Sequence, residues 1–218
     1  NLKAKKAVVI TDTSSDYGKG LAKNFIATFT AAGGSVVAEE GYVAGDTDFN
    51  AVITKIKGQE FDVVFIPGYY QEAGLIIKQA RAQGITAPVL GADGFDSPVL
   101  KELAGAEALN NVYFSNHYSS LDKDPTVTKF IADFKAKYGK EPDAFNALGY
   151  DLAKFAADAI GRAETVTGEG VKNAMAATEN FVGVTGSFSV DENHNPVKAL
   201  VVIGLENGDQ ATTARVSM

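Results

Sequence analysis

The sequence lacks cysteine altogether and has only two histidines, His117 and His194, in its 218 residues. Without cysteine there can be no disulfide, no thiolate nucleophile and no cysteine-based zinc site. Two isolated histidines do not make a metal site, so we expect no metal and no cofactor. No apolar run approaches the roughly 20 residues of a membrane-spanning helix.

The sequence also has fewer basic than acidic residues. It contains 20 Lys and Arg against 27 Asp and Glu, which gives a net charge of −7. A surface that binds phosphates needs a basic excess, so we exclude nucleic acid as a partner. Hydrophobic residues make up 45% of the chain, which is typical of a globular protein. The chain starts at Asn1 without a signal-peptide pattern, and we expect a processed or cut start.

Short apolar runs alternate with helical patterns in the first half, which is typical of a parallel sheet with crossover helices. The patterns predict strands at 7–11, 35–39, 62–66, 88–91 and 112–114, and helices at 17–32, 49–56, 71–83 and 98–104. Asp48 is a plausible N-cap for the second helix. The sequence therefore predicts an α/β fold with a Rossmann-like or flavodoxin-like lobe nearly complete by residue 118.

The pattern changes after residue 118, where helices follow one another without a strand between them. Helical periodicity predicts helices at 125–138, 143–163 and 170–177. Alternation then predicts strands at 183–190 and 197–205, joined by the polar turn 191–196.

Ligands of open parallel sheets bind beyond the carboxyl ends of the strands, so the loops after the predicted strands matter most. The loop 12–18 is polar and leads into a helix N-terminus, which favours an anion or an acceptor. Tyr69 and Tyr70 follow the third strand, and Asp93 follows the fourth. Hydroxyl-tipped rings beside one carboxylate suit a small ligand with an ammonium group, of which an amino acid is the obvious candidate.

Each of these residues also has a plainer interpretation. Asp93 could be a turn or N-cap residue, and Tyr17 could pack locally on the first helix. Asp96, before Ser97-Pro98, is better interpreted as a cap than as a ligand group. Phe145 is by default a core residue of an amphipathic helix.

Four motifs resemble the leucine/isoleucine/valine-binding proteins, a family of type I periplasmic binding proteins of ABC transporters. They are Asp16–Gly20, Pro67–Gly74, Gly91–Pro98 and the run Pro142–Asp151. The resemblance extends over essentially all 218 residues. It implies a solute-binding receptor of an ABC importer, not an enzyme, whose partners are an amino acid and a membrane permease. It also implies a periplasmic or extracellular location, with a membrane tether outside the cell in a Gram-positive source.

The resemblance further assigns roles to residues. Tyr17 and Tyr69 would line the aliphatic side chain of the ligand or its exit, Asp93 would take the α-ammonium and Phe145 would add an apolar wall. Residues 1–118, with a returning tail at about 199–218, would form the second lobe, and 119–198 would help to complete the first. We expect a fragment that lacks the N-terminal part of the first lobe. Another polypeptide or a dimer would then cover the apolar face of Phe145, Leu148, Leu152 and Phe155.

Two other functional classes match parts of the sequence. A flavodoxin-like FMN-binding protein is the alternative, because Thr11–Ser15 resembles a hydroxyl-rich phosphate loop and Tyr69 with Tyr70 could sandwich a flavin. The negative charges of Asp12 and Asp16 oppose it. A hydrolase is disfavoured because the sequence has no Gly-x-Ser-x-Gly elbow.

Overall fold

The computed structural model describes residues 2–216 and divides into two compact units. The first unit contains residues 2–115 and 203–212, and the second contains 116–202 and 213–216. The chain passes between the units within three strands. Each unit is described by itself below.

A seven-stranded sheet forms the centre of the first unit, in the order β10-β9-β5-β4-β3-β1-β2. The strands β2, β1, β3, β4 and β5 pair in parallel, in the doubly wound order of flavodoxin-like folds. The predicted α/β parallel fold is thereby confirmed. The strands are β1 Lys6–Asp12, β2 Ser35–Tyr42, β3 Val63–Phe65, β4 Val89–Gly91, β5 Val112–Asn116, β9 Leu200–Glu206 and β10 Asp209–Val216.

Four helices connect the parallel strands: α1 Asp16–Ala31, α2 Asn50–Lys57, α3 Tyr70–Ala82 and α4 Pro98–Ala104. The central strand β1 is buried on both faces because Ala7 to Ile10 are all apolar and fully inaccessible. Helix α1 packs on this sheet through Phe25, whose ring lies 4.2 Å from that of Phe65. Gly84 follows α3 with a φ of +85°, a conformation that suits glycine.

The structure corrects two predicted helix caps. The N-cap of α2 is Phe49, and Asp48 instead accepts a hydrogen bond from the Asn50 N–H at 3.0 Å. The N-cap of α4 is Ser97, whose Oγ accepts from the Val99 N–H, so Asp96 does not cap this helix and is instead the C-cap of the 3-10 turn Asp93–Phe95. In both cases the N-cap residue lies one position later than expected.

The second unit contains the helices α5 Pro125–Tyr138, α6 Ala144–Arg162 and α7 Gly168–Ala176. It also contains a small sheet in the order β6-β7-β8, with antiparallel pairs, formed by Phe181–Gly183, Gly186–Val190 and Pro196–Val197. The residues of one core are Tyr118, Val127, Phe130, Ala144, Ala147 and Val184. Phe155 packs separately against Phe181 and Phe188.

The late strands differ from the prediction. The expected strand 183–190 is interrupted by a turn, because the carboxylate of Asp151 accepts hydrogen bonds from the backbone N–H groups of Val184 and Thr185. The expected strand 197–205 is divided between β8 and β9, and β10 was not predicted at all. Asn207 and Gly208, both with positive φ, form the tight hairpin turn that brings β10 back beside β9.

No helix within residues 2–216 is both long enough and apolar enough to cross a membrane.

Candidate functional site

Three loops at the carboxyl ends of β1, β3 and β4 meet in the first unit. Tyr17 lies in the first turn of α1, which begins after the N-cap Ser15. Tyr69 is the N-cap residue of α3, and Asp93 opens the single 3-10 turn Asp93–Phe95 that follows β4. The doubly wound order places these loops beside the point where the chain reverses direction across the sheet, which is where such folds bind ligands.

The hydroxyl of Tyr17 joins two of these loops. Its Oη donates a hydrogen bond to Asp93 Oδ1 at 2.7 Å and accepts one from the Gly94 N–H at 3.1 Å. Burial raises the pKa of Tyr17 well above its usual value, and the hydrogen bond to Asp93 raises it further. The phenol therefore stays protonated and acts as a donor to the carboxylate.

Tyr69 completes the group by stacking on Tyr17, with ring centroids 4.9 Å apart and planes inclined by 26°. Tyr69 is 37% exposed, and the next residue, Tyr70, is less exposed than that. Offset stacking of this kind is favourable and holds both rings in fixed orientations. The site therefore offers an accessible aromatic surface next to a carboxylate.

Gly94 permits the close approach of the three loops. A Cβ at this position would lie 2.5 Å from Gly68 O and 3.2 Å from both Tyr17 Oη and Tyr69 Cδ1. The backbone oxygen of Gly68 cannot move aside as the end of a flexible side chain can. Any larger residue at position 94 would therefore push the loops apart. The glycine thus sets the spacing between Asp93 and the two rings.

The fourth predicted residue, Phe145, belongs to the second unit. It is the second residue of α6, which begins with a capping box formed by Asp143 and Asn146. Its side chain is 39% exposed, so the default interpretation as a buried core residue is wrong. The structure brings Tyr17, Tyr69 and Asp93 together, and the role of Phe145 stays a prediction.

The loop after β1 does not favour an anion as the sequence suggested. Asp12 is buried there, and its Oδ1 accepts hydrogen bonds from Ser14 N at 2.9 Å and Ser14 Oγ at 2.5 Å. The hydroxyl of Ser15 accepts from the Gly18 N–H. The donors of Ser14 and Gly18 are therefore used within the loop, and a phosphate would meet repulsion from the Asp12 carboxylate.

Two further groups were missed by the sequence reasoning. Tyr42 is buried on β2 as the register partner of Asp12 on β1, 30 positions away, and a single sequence carries no signal for such a pairing. In the second unit, Asp151 is a buried carboxylate whose contacts include the Thr185 hydroxyl, which in turn accepts a hydrogen bond from Lys198 Nζ at 2.6 Å. Residues 2–216 contain no cluster of three or more histidine or acidic side chains able to hold a metal.

A family model described as periplasmic binding protein matches residues 1–210. The Leu/Ile/Val-binding protein BraC3 of Rhizobium johnstonii is 33% identical over 195 residues, which are 88% of this chain and 52% of that protein. A leucine-, isoleucine-, valine-, threonine- and alanine-binding protein of Pseudomonas aeruginosa is 30% identical, covering 86% of this chain and 49% of that protein. The chain therefore spans about half the length of these relatives.

Solved structures give the same result. The branched-chain amino acid transporter substrate binding protein LivJ of Streptococcus pneumoniae, in complex with isoleucine, is 41% identical with a TM-score of 0.88; the match covers 99% of this chain and 61% of that one. The leucine binding protein LivK of Thermotoga maritima is 40% identical with a TM-score of 0.92, covering 100% of this chain and 62% of that one.

Proposed function

The chain belongs to the periplasmic binding protein family, and we propose that it acts as the solute-binding receptor of an ABC importer. Its ligand would be a branched-chain or another neutral amino acid, which it would deliver to a membrane permease. Members of this family bind solutes for transporters, and we propose accordingly that the chain has no catalytic activity of its own.

The observation that carries this proposal is the arrangement of Asp93, Tyr17 and Tyr69. The carboxylate of Asp93 is oriented by the Tyr17 hydroxyl at 2.7 Å and lies beside the stacked rings. An α-ammonium would meet Asp93, and an aliphatic side chain would remove water from the exposed ring of Tyr69. A charge-assisted hydrogen bond is worth about 1.5–3 kcal/mol, which is enough to select ligands that carry an ammonium.

The relatives support the same ligand class. The names of the two sequence relatives include leucine, isoleucine and valine, and the LivJ structure contains isoleucine. A more distant solute binding protein of R. palustris, 25% identical with a TM-score of 0.84, was solved with benzoate and covers 99% of this chain and 60% of that one. Aromatic acids are therefore worth including among the ligands tested.

A two-lobed receptor is the context in which we propose this site to work. Residues 1–118 with 199–218 would form the second lobe, and 119–198 would help to build the first, with Phe145 as an apolar wall of the cleft. Polypeptide that completes the first lobe, or a second copy of the chain, would cover the apolar side of α6. Such receptors close by a hinge motion around their solute.

We propose a location outside the cytoplasmic membrane, in the periplasm or, in a Gram-positive source, tethered to the outer face of the membrane. The flavodoxin-like alternative receives no support from the relatives described above. The buried Asp12 in the loop that would hold the phosphate also opposes FMN binding, so we set this alternative aside.

Substitution of Asp93 tests the proposed site. In a two-lobed form of the receptor, we expect Asp93→Ala to weaken leucine binding by about tenfold or more, because an ammonium would lose its charged partner. Asp96→Ala, on the same loop, should have a much smaller effect. Isothermal titration calorimetry with leucine, with leucinamide and with 4-methylpentanoate would separate recognition of the ammonium from that of the carboxylate.

The two substituted residues are only three positions apart, so a general disturbance of the loop would affect both variants alike. Equal losses in both variants would remove Asp93 from the site. Equal binding of leucine and 4-methylpentanoate by the unsubstituted protein would show that no ammonium is recognised.

A further inference from the structure

Asp93 and Gly94 form the one Asp-Gly pair of the sequence, and they lie in the candidate site. In an unfolded chain such a pair converts slowly to isoaspartate, because glycine has no side chain that hinders its nitrogen. The Gly94 nitrogen bonds to Asp93 Cγ, and a carboxylate oxygen leaves as water with the amide proton and one proton from solvent. Water then opens the cyclic imide at either carbonyl and gives aspartate again or isoaspartate.

The hydroxyl of Tyr17 holds both groups that this reaction uses. Its Oη donates to Asp93 Oδ1 at 2.7 Å and accepts from the Gly94 N–H at 3.1 Å. The Gly94 nitrogen can attack Cγ only after its proton has left, and here that proton is bound by the phenol oxygen. Burial raises the pKa of Tyr17, so the phenol stays protonated and does not act as a base on this N–H.

The backbone around the pair also opposes the reaction. Closure of the imide ring needs rotation about the Cα–C bond of Asp93, which would move the Gly94 nitrogen. This rotation would break the hydrogen bond of 2.9 Å from the Phe95 N–H to Ala92 O. Gly94 also has little space, because an added Cβ would lie 2.5 Å from Gly68 O.

We propose that Asp93–Gly94 is a latent site of aspartate isomerisation, and that the Tyr17 hydroxyl keeps this pair from converting. Isoaspartate has one more carbon in the backbone and one fewer in the side chain, so the carboxylate would no longer reach Tyr17. Loss of amino-acid binding on conversion rests on the proposed function, whereas the conversion itself does not. Tyr17 would thus preserve the site over time as well as shape it.

Tyr17→Phe tests this role, with Ile53→Val as the control. Peptide mapping with electron-transfer fragmentation, which distinguishes isoaspartate from aspartate, would follow the folded proteins at neutral pH over several weeks. We expect Tyr17→Phe to form isoaspartate at position 93 about tenfold faster or more, because a hydrogen bond to each reacting group is lost. Ile53, fully buried on α2, should affect stability without changing this rate.

The same proteins in urea provide a reference, because there Tyr17 cannot contact the pair and all three should convert at one rate. Equal rates in folded Tyr17→Phe and in the unsubstituted protein would overturn the proposal and leave the backbone turn as the protection. An equal acceleration in Ile53→Val, or at the Asn-Gly pair Asn207–Gly208 in Tyr17→Phe, would indicate general loosening and would overturn it as well.

Asp93→Asn keeps the test available if Tyr17→Phe does not fold. The Gly94 nitrogen then displaces ammonia, and the product is recognised by its higher mass. We expect position 93 to deamidate about tenfold more slowly in the folded chain than in urea, and equal rates would overturn the proposal. In Tyr17→Phe, isoaspartate that accumulates without any loss of leucine binding would support the protective role of Tyr17 and remove Asp93 from the amino-acid site.

Discussion

Tyr17 makes two hydrogen bonds with one hydroxyl, and this combination makes it sensitive to substitution. In Tyr17→Phe the ring remains and can still stack on Tyr69, but Asp93 loses a donor and the buried Gly94 N–H loses its acceptor at 3.1 Å. We expect the free energy of unfolding to fall by about 1–3 kcal/mol. Amino-acid affinity should fall too, because the carboxylate would no longer be held in one orientation.

Urea denaturation of Tyr17→Phe and of Tyr138→Phe would measure the effect on stability. Tyr138 is 56% exposed, so loss of its hydroxyl should change stability little. Equal stabilities of Tyr17→Phe and the unsubstituted protein would show that water replaces the lost hydroxyl at no cost.

At the scale of elements, one buried carboxylate organises the small sheet of the second unit. Asp151, on α6, accepts hydrogen bonds from Val184 N at 2.7 Å, Thr185 N at 2.7 Å and Thr185 Oγ1 at 2.8 Å. The Thr185 hydroxyl accepts in turn from Lys198 Nζ. A single chain of hydrogen bonds therefore connects α6, the turn between β6 and β7, and the residue that follows β8.

Lys198 gives this connection a dependence on pH. Burial lowers the pKa of Lys198 from its usual value of 10.5 to about 8, although the nearby Asp151 opposes the shift and Arg215 adds to it. Between these two values the unfolded chain binds more protons than the folded one, so the free energy of unfolding rises as pH increases from 8 towards 10.5. Below pH 8 the cost of burying the charge is fully present.

The prediction is that Lys198→Met removes this component of the pH profile. Because the side chain keeps some contact with solvent, we expect only about 1 kcal/mol of extra stabilisation between the ends of this range. Urea denaturation at several pH values, for Lys198→Met and for the exposed Lys140→Met, would isolate the effect from other titrating groups. Parallel profiles for all three proteins would show that Lys198 keeps an ordinary pKa.

The elements that could be predicted are those whose periodicity is set by burial. Helices α4 and α5 have the predicted bounds, and the buried strand β1 extends only one residue further at each end. The late strands could not be predicted, because their limits depend on Asp151, which is more than 30 positions away from the turn that it holds. Strand β10 is mostly exposed and polar, so no apolar alternation marks it.

Some residues of the candidate site could likewise be predicted from the sequence, and others could not. Tyr69 and Asp93 follow buried strands, and a parallel sheet brings such positions to one edge whatever their separation in sequence. Their proximity to Tyr17 could therefore be expected before the structure. Tyr42 could not, since its burial under Gly68 depends on how the loops after β2 and β3 pack.

At the scale of the whole molecule, α6 presents large apolar side chains on the surface of the second unit. Phe145, Leu152 and Ile160 are 39%, 64% and 46% exposed, whereas Phe155 packs on β6 and β7 of its own unit. A neighbouring groove of about 750 Å³ is lined mainly by Phe155, Ile160, Val166, Val171 and Met175. Apolar surface on this scale is typical of a contact with another polypeptide.

Leu152 tests whether a second copy of the chain can cover this surface. If it does, light scattering at micromolar concentration should give a mass above the 22.9 kDa of one chain. Leu152→Glu should then return the mass towards that of a monomer, because a carboxylate buried in an apolar contact has no partner. We expect this substitution to raise the dissociation constant for self-association of the chain by about tenfold or more.

Val43→Glu is the matched control for this experiment, because Val43 is 49% exposed and belongs to the first unit, whereas α6 belongs to the second. It adds the same charge to the molecule, so a general effect of charge on association would appear in both variants. A monomeric mass for the unsubstituted chain would exclude the second copy as the cover of α6. The polypeptide of a completed first lobe would then be the proposed partner of this apolar face.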